Sequence, residues 1–155
     1  MHHFWARGEF EISTDPARLD VRSVYEFLTN SYWAQGIPLE TVQRSIANSL
    51  CFGIYQATRQ VGFARVISDR ATFCYLADVF VLEPYRRRGL SKWLMECIMG
   101  HPDLQGVRRW MLATQDAHGL YRQYGFVALK TPERWMEIHR ADIYAITGAQ
   151  AASEK

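Results

Sequence analysis

Apolar side chains recur along the chain with two distinct periods. Phe10 and Ile12 alternate with polar neighbours over residues 8–13, the rhythm of a half-buried strand, and Ser13-Thr14-Asp15-Pro16 closes it. Val21, Val24, Phe27 and Leu28 then fall at helical spacing, as do Leu39, Val42 and Ile46 beyond the Gly36-Ile37-Pro38 break, which predicts two short helices. Residues 50–57 form an apolar run bounded by Thr58-Arg59-Gln60, and residues 61–67 resume it, predicting a hairpin. Residues 72–82, rich in aromatic and β-branched side chains, read as a central strand that Pro84 stops. Leu90, Leu94, Cys97 and Ile98 mark one face of a helix ending near Gly100. A strand over 107–113, a short helix carrying Ala117, Leu120, Tyr121 and Tyr124, a strand starting at Phe126 and a last strand over 134–138 complete the pattern.

The resulting order, β, α, α, β, β, β, α, β, α, β, β, predicts an α/β (α+β) fold: a mixed central sheet of six to seven strands with about four helices on its faces. A length of 155 residues suits one domain rather than two, with a core over about 9–138. Residues 148–155, small and polar, read as a flexible tail. Composition agrees with a folded globular chain, at 48% hydrophobic and 22% charged. No apolar run approaches the roughly 20 residues of a spanning helix, and Arg7 and Glu9 stand where a signal peptide needs an apolar stretch. A cytoplasmic location is expected, with no membrane partner.

A formal charge of +2 argues against a general nucleic-acid binder, although three of the arginines are consecutive. Cys51, Cys74 and Cys97 are odd in number and sit in apolar segments, so they read as reduced core residues rather than a disulfide framework. The five histidines lack ligand spacing, and no metal site is expected.

Chemistry concentrates in residues 79–91, where a buried strand turns through Arg86-Arg87-Arg88-Gly89 straight into an amphipathic helix. A helix start offers unpaired amides and a partial positive charge, Gly89 admits a bulky ligand, and guanidiniums complement phosphate. An isolated Arg-Arg-Arg-Gly is equally a solvated turn. Neither Gly-x-Gly-x-x-Gly nor Gly-Lys-Ser/Thr occurs, which lowers NAD and ATP as ligands.

Arg86-x-x-Gly89-x-Ser91 resembles the phosphate-binding signature Arg/Gln-x-x-Gly-x-Gly/Ala of the GNAT superfamily of acetyl-CoA-dependent N-acetyltransferases, with serine at the last position. A second segment, Thr114-x-x-Ala117-x-x-Leu120-Tyr121-x-x-x-Gly125-Phe126, is similar to that family's Asn-x-x-Ala-x-x-Leu-Tyr-x-x-x-Gly-Phe element, with Thr114 in the asparagine position. The resemblance implies that acetyl-CoA is the co-substrate and that its diphosphate lies on the turn formed by Arg86, Arg87, Arg88, Gly89, Leu90 and Ser91. It implies that the thioester carbonyl and pantetheine lie along Val79, Phe80 and Val81, where the sheet splays against strand 107–113. Thr114 and Ala117 would flank the pantetheine, and Tyr121 would be the general acid that protonates the leaving thiolate.

The general base is open. Asp78, a lone carboxylate in the apolar Leu76-Ala77-Asp78-Val79, must be paired, hydrated or functional. It is either a substrate contact or an acceptor holding sheet to loop. Tyr75 lies upstream on the same strand, where family bases usually arise, and is equally a packing residue. Tyr32 and Trp33, between the first two helices, either wall an acceptor pocket or cap the core.

The implied reaction is acetyl transfer to a primary amine of a small molecule or peptide by direct attack in a ternary complex. The alternative is a non-catalytic acyl-CoA sensor. A nucleic-acid module using the three arginines is disfavoured by low net charge and the lack of an RNA-binding aromatic signature. The sequence sets neither the acceptor nor the oligomeric state, and a homodimer is among the states open to it.

Overall fold

The computed structural model describes residues 1–145. They form β1 (Phe4–Arg7), β2 (Phe10–Ser13), α1 (Val21–Thr29), α2 (Leu39–Ala47), β3 (Leu50–Gln56), β4 (Arg59–Ser68), β5 (Phe73–Val81), α3 (Leu90–Met99), β6 (Arg109–Met111) and α4 (His118–Arg122), joined by short 3-10 turns. The six strands make one mixed sheet in chain order, antiparallel throughout except for the parallel β5–β6 pair. The described residues divide into two compact units: Met1–Asp20 with Ser45–Phe126, which holds the whole sheet with α3 and α4, and Val21–Arg44 with residues 127–145.

In the sheet unit, α3 lies against β3 and β5. Its Leu90, Trp93, Leu94, Cys97 and Ile98 are buried with Ile12, Phe52, Ile54, Val66 and Leu76 from the strands, as the helical spacing predicts. Cys51, Gly53 and Tyr55 face the other side of β3 and belong to its five-residue buried run. Burial on both faces is why this strand reads as a continuous apolar run rather than an alternation. Gly53 is required there, because a Cβ would collide with the Tyr55 hydroxyl. The three cysteines are free and buried, and burial pushes the Cys51 and Cys97 thiols up to about 12.

In the second unit, Val24 and Leu28 of α1 and Val42 of α2 form the buried stripes that their spacing predicts. No helix among the described residues is long and apolar enough to cross a membrane.

Four expected elements differ. The opening strand is a hairpin, since Gly8 takes a left-handed φ of 59° and turns β1 back onto β2, pairing Arg7 with Phe10. β1 escapes the sequence pattern because it is short and mostly exposed, anchored by Trp5 stacked 6.1 Å from Phe52. Strand 107–113 shortens to the three residues of β6. The strands expected from Phe126 and over 134–138 do not form: Pro132 opens a 3-10 turn, and Val127, Met136 and Ile138 are exposed. β propensity expresses fit to a half-buried pleated surface, and these side chains have none. The sheet therefore has six strands. The tail expected over 148–155 lies outside the described residues.

One buried histidine makes a prediction about stability. His101 follows α3, is 1% exposed, and its Nδ1 accepts the Asp103 N–H at 3.1 Å. His3 stands edge-on at 4.6 Å, and Phe52 and Trp5 complete its aromatic surround. Burial, then the His3 ring and the Arg70 guanidinium against the opposing pull of Asp103, holds its pKa below the usual histidine value. A lowered folded-state pKa means that the unfolded chain takes up the proton first. Stability should hold above about pH 6.5 and fall as pH drops through the folded-state value. Urea midpoints at pH 7.5 and 5.5 measure this, and His101→Asn, which keeps an acceptor for the Asp103 N–H, should flatten the slope.

Candidate active site

β5 carries the site. Its register with β4 sets Phe80 opposite Phe63 but Ala77 opposite Arg65, so Asp78 and Val79 together face Ala64 in a bulge. The inserted residue reverses the alternation. Cys74 and Leu76 point into the α3-side core before it, and Val79 and Val81 do so after it. Without the bulge Asp78 would follow Leu76 into that core. With it, the carboxylate accepts a 2.9 Å bond from Arg65 Nε, whose Nη1 donates to Ser49 Oγ at 3.2 Å. Both side chains of the ion pair are shielded, at 16% and 9% exposed. Asp78 has a left-handed φ of 56°, at a bulge position that usually takes glycine and at a cost of about 1 kcal/mol.

The parallel pairing of β5 with β6 covers only Phe73 to Arg109, Cys74 to Trp110 and Tyr75 to Met111. Beyond Tyr75, β5 continues for six residues with no paired β6 residue opposite, the pairing ending just ahead of the bulge. The two strands are therefore not paired along their full length, as the expected splay requires. Tyr75, half-buried, sits at the last paired position and faces away from the α3 core, since its neighbours Cys74 and Leu76 face into it.

After β5 the chain makes a 3-10 turn (Glu83–Tyr85) and reaches α3 through two left-handed residues, Arg87 (φ 65°) and Gly89 (φ 76°). Gly89 precedes α3 with no side-chain cap, which leaves the amides of the first turn to outside acceptors. The space above Gly89 is clear: a Cβ there would meet no atom within 4 Å. The three arginines do not act alike. Arg86 Nε turns back to the Val81 carbonyl at 2.8 Å and pins the turn to the strand end. Arg88 lies 3.5 Å from Glu9 and 5.7 Å from the Tyr85 ring centroid, which Arg59 approaches equally closely. Arg87 is exposed.

α4 and the turn that follows it contribute two phenols. Thr114 Oγ1 accepts the Ala117 N–H at 3.1 Å, so the threonine in the family's asparagine position orders the entry to this short helix. Tyr121 is 8% exposed and lies in the same apolar cluster as Val81, Leu90 and the packed face of Val79, with Phe126 edge-on at 6.0 Å. Tyr124 Oη donates to the Lys92 carbonyl at 2.9 Å, tying α4 to α3, and burial raises its pKa. Tyr124 is a packing residue, as its place beside Gly125 suggests.

Tyr32 and Trp33 belong to the second unit. They are 58% and 40% exposed, edge-on to one another at 5.0 Å, with Trp33 also against Phe27 at 6.1 Å.

Sequence reasoning missed Arg65 and Ser49. The available signal was a cation inside the apolar run 61–67, next in the sheet to a strand with a lone carboxylate.

Comparison with known proteins adds independent findings. The family model described as an acetyltransferase (GNAT) domain matches residues 47–128. A Gibberella zeae protein provisionally named an acetyltransferase is 32% identical over 141 residues, covering 76% of this chain and 78% of that protein. A crystal structure of a Xanthomonas campestris protein assigned to the GNAT family superposes with a TM-score of 0.87 at 51% identity, covering 90% of this chain and 99% of that one. A Clostridium acetobutylicum acetyltransferase solved with acetyl-CoA shares the fold alone, at a TM-score of 0.60 and 12% identity over 90% of this chain and 96% of that one.

Proposed function

The chain belongs to the GNAT acetyltransferase family, and from that premise we propose that it moves an acetyl group from acetyl-CoA to a primary amine of a small molecule or peptide by direct attack in a ternary complex. The observation that carries this reading is the opening of the sheet beyond Tyr75 and Met111, directly beside the bulge and the turn into α3. It leaves the edge of β5 over residues 76–81 without a paired β6 residue, where an extended pantetheine arm could lie as an added strand.

The residues present fit acetyl-CoA as a substrate. The backbone amides from Arg87 to Ser91 receive the diphosphate, favoured by the α3 dipole and the clear space over Gly89. Arg86 supports that turn through its Nε bond to Val81 and, as a guanidinium on the turn, is itself a proposed diphosphate contact. Arg88 adds positive charge moderated by Glu9. Val79, Phe80 and Val81 supply the pantetheine edge, with Thr114 and Ala117 at its far side.

In the reaction, a neutral amine attacks the thioester carbon, the carbon–sulfur bond breaks, and the thiolate takes a proton while the amine loses one. The Val79 N–H faces the developing oxyanion and requires no reorganisation. Tyr121 gives its proton to the sulfur, the role of a positioned general acid. Tyr121 lies on the α3 side of the sheet and Tyr75 on the other. Acid and candidate base therefore flank the slot, and the amine enters from the Tyr75 face. Its proton leaves through Tyr75 or ordered water. The carboxylate of Asp78 is directed at Arg65 instead. Tyr32 and Trp33, exposed aromatics, are proposed acceptor contacts.

Mixing the protein with acetyl-CoA and a panel of free amines, amino acids, polyamines, aminoglycosides and peptides, and measuring coenzyme A release, tests the reading. Amine-dependent release is expected. Tight coenzyme binding with no release from any acceptor would instead indicate an acyl-CoA sensor.

A further inference from the structure

We propose that Arg65 is a positioning residue for acyl transfer: its ion pair with Asp78 locks the β5 bulge, and the bulge aims the Val79 N–H at the thioester carbonyl. The proposal rests on the reading of the site given above and extends it to a residue outside the substrate slot.

Several observations lead to it. The bulge makes the ion pair possible, because the extra residue is what carries Asp78 from the α3-side core to the face where Arg65 stands. Asp78 holds a left-handed φ without being glycine, a conformation that persists only where its surroundings fix it. The 2.9 Å bond from Arg65 Nε is the fixing contact. Arg65 is in turn held by Ser49 Oγ at 3.2 Å, just ahead of β3, so the clamp spans three neighbouring strands.

A glycine bulge would be free to relax. This one is rigid because undoing it would bury an unpaired carboxylate on one side and strand a shielded guanidinium on the other. The Val79 amide, next in the chain, is therefore oriented before any ligand arrives, which is the condition for electrostatic stabilisation of a developing charge. Asp78 thus acts through its backbone, as the lock's second half.

Calorimetric titration with coenzyme A and with acetyl-CoA separates this role from ordinary stabilisation. Only acetyl-CoA has the carbonyl that Val79 would engage, and one net hydrogen bond corresponds to a preference of about 2- to 10-fold over coenzyme A. Arg65→Met should bring that preference to about one while coenzyme A affinity changes less than about twofold, and Arg65→Lys should restore part of it. Arg65→Met with Asp78→Gly removes both charges and leaves a glycine bulge that is free to relax, so the preference should stay near one with no unpaired carboxylate to disturb folding. If Arg65→Met does not fold, the double variant decides: a preference near one supports the lock, and wild-type preference overturns it. An unchanged preference in folded Arg65→Met, or a weakening of both ligands alike, also overturns it. Failure of the wild-type protein to bind either ligand would instead overturn the acetyl-CoA reading itself.

Discussion

Tyr121→Phe should lose about 10²- to 10⁴-fold in turnover while binding coenzyme A nearly as well as the wild type. The substitution keeps the ring that packs with Phe126 and the α3-side cluster, and removes only the hydroxyl. In barrier terms the loss is about 2.7 to 5.5 kcal/mol, the usual contribution of a positioned proton donor. It should appear in kcat, because the proton is needed after both substrates are bound. The matched control is Tyr124→Phe on the same side of the slot. Its hydroxyl donates to the Lys92 carbonyl, so its loss should lower the melting temperature modestly and leave the rate constant of the chemical step near normal. Equal turnover for Tyr121→Phe and wild type with an acceptor whose chemistry is rate-limiting would return Tyr121 to a core aromatic and give the proton to water.

Gly89→Glu should weaken coenzyme A by about 30- to 150-fold. Two effects add. The left-handed φ of 76° costs any L side chain about 1 to 2 kcal/mol, so the free turn relaxes to a shape that binding must reverse. A carboxylate within about 4 Å of the diphosphate adds about 1 kcal/mol of repulsion even in water. Gly89→Ala separates the two, because its Cβ meets no protein atom within 4 Å and only the backbone cost remains, about tenfold. Isothermal calorimetry checks both, and an unchanged affinity in Gly89→Glu would move the diphosphate elsewhere.

Much of the site is legible in the sequence because its parts are local. Strand, turn and helix over 79–91 are contiguous, and the α3 face follows from the spacing of Leu90, Leu94, Cys97 and Ile98. The splay is legible only through the family resemblance, since nothing in the pattern of 107–113 says that pairing stops at Met111. The bulge is hidden for a physical reason: an extra residue in a strand leaves composition unchanged and shifts only the parity of the residues after it. Asp78 stands out as anomalous, yet its partner lies thirteen positions away on the neighbouring strand. The charge of Arg86 likewise suggests phosphate, whereas its Nε is taken by the Val81 carbonyl at the end of the preceding strand. The segment after Phe126 fails in the opposite sense, strand-like in composition but broken at Pro132 and exposed.

In the proposed function acetyl-CoA occupies the edge of β5 left unpaired by β6, with its diphosphate on the turn into α3. The decisive measurement is a crystal structure of the protein grown with acetyl-CoA. Expected are diphosphate oxygens within hydrogen-bond distance of amides between Arg87 and Ser91, pantetheine running beside Val79 to Val81, and sulfur within reach of the Tyr121 hydroxyl. Coenzyme bound elsewhere on the protein, or β6 paired to β5 beyond Tyr75 with the ligand outside the sheet, would contradict it.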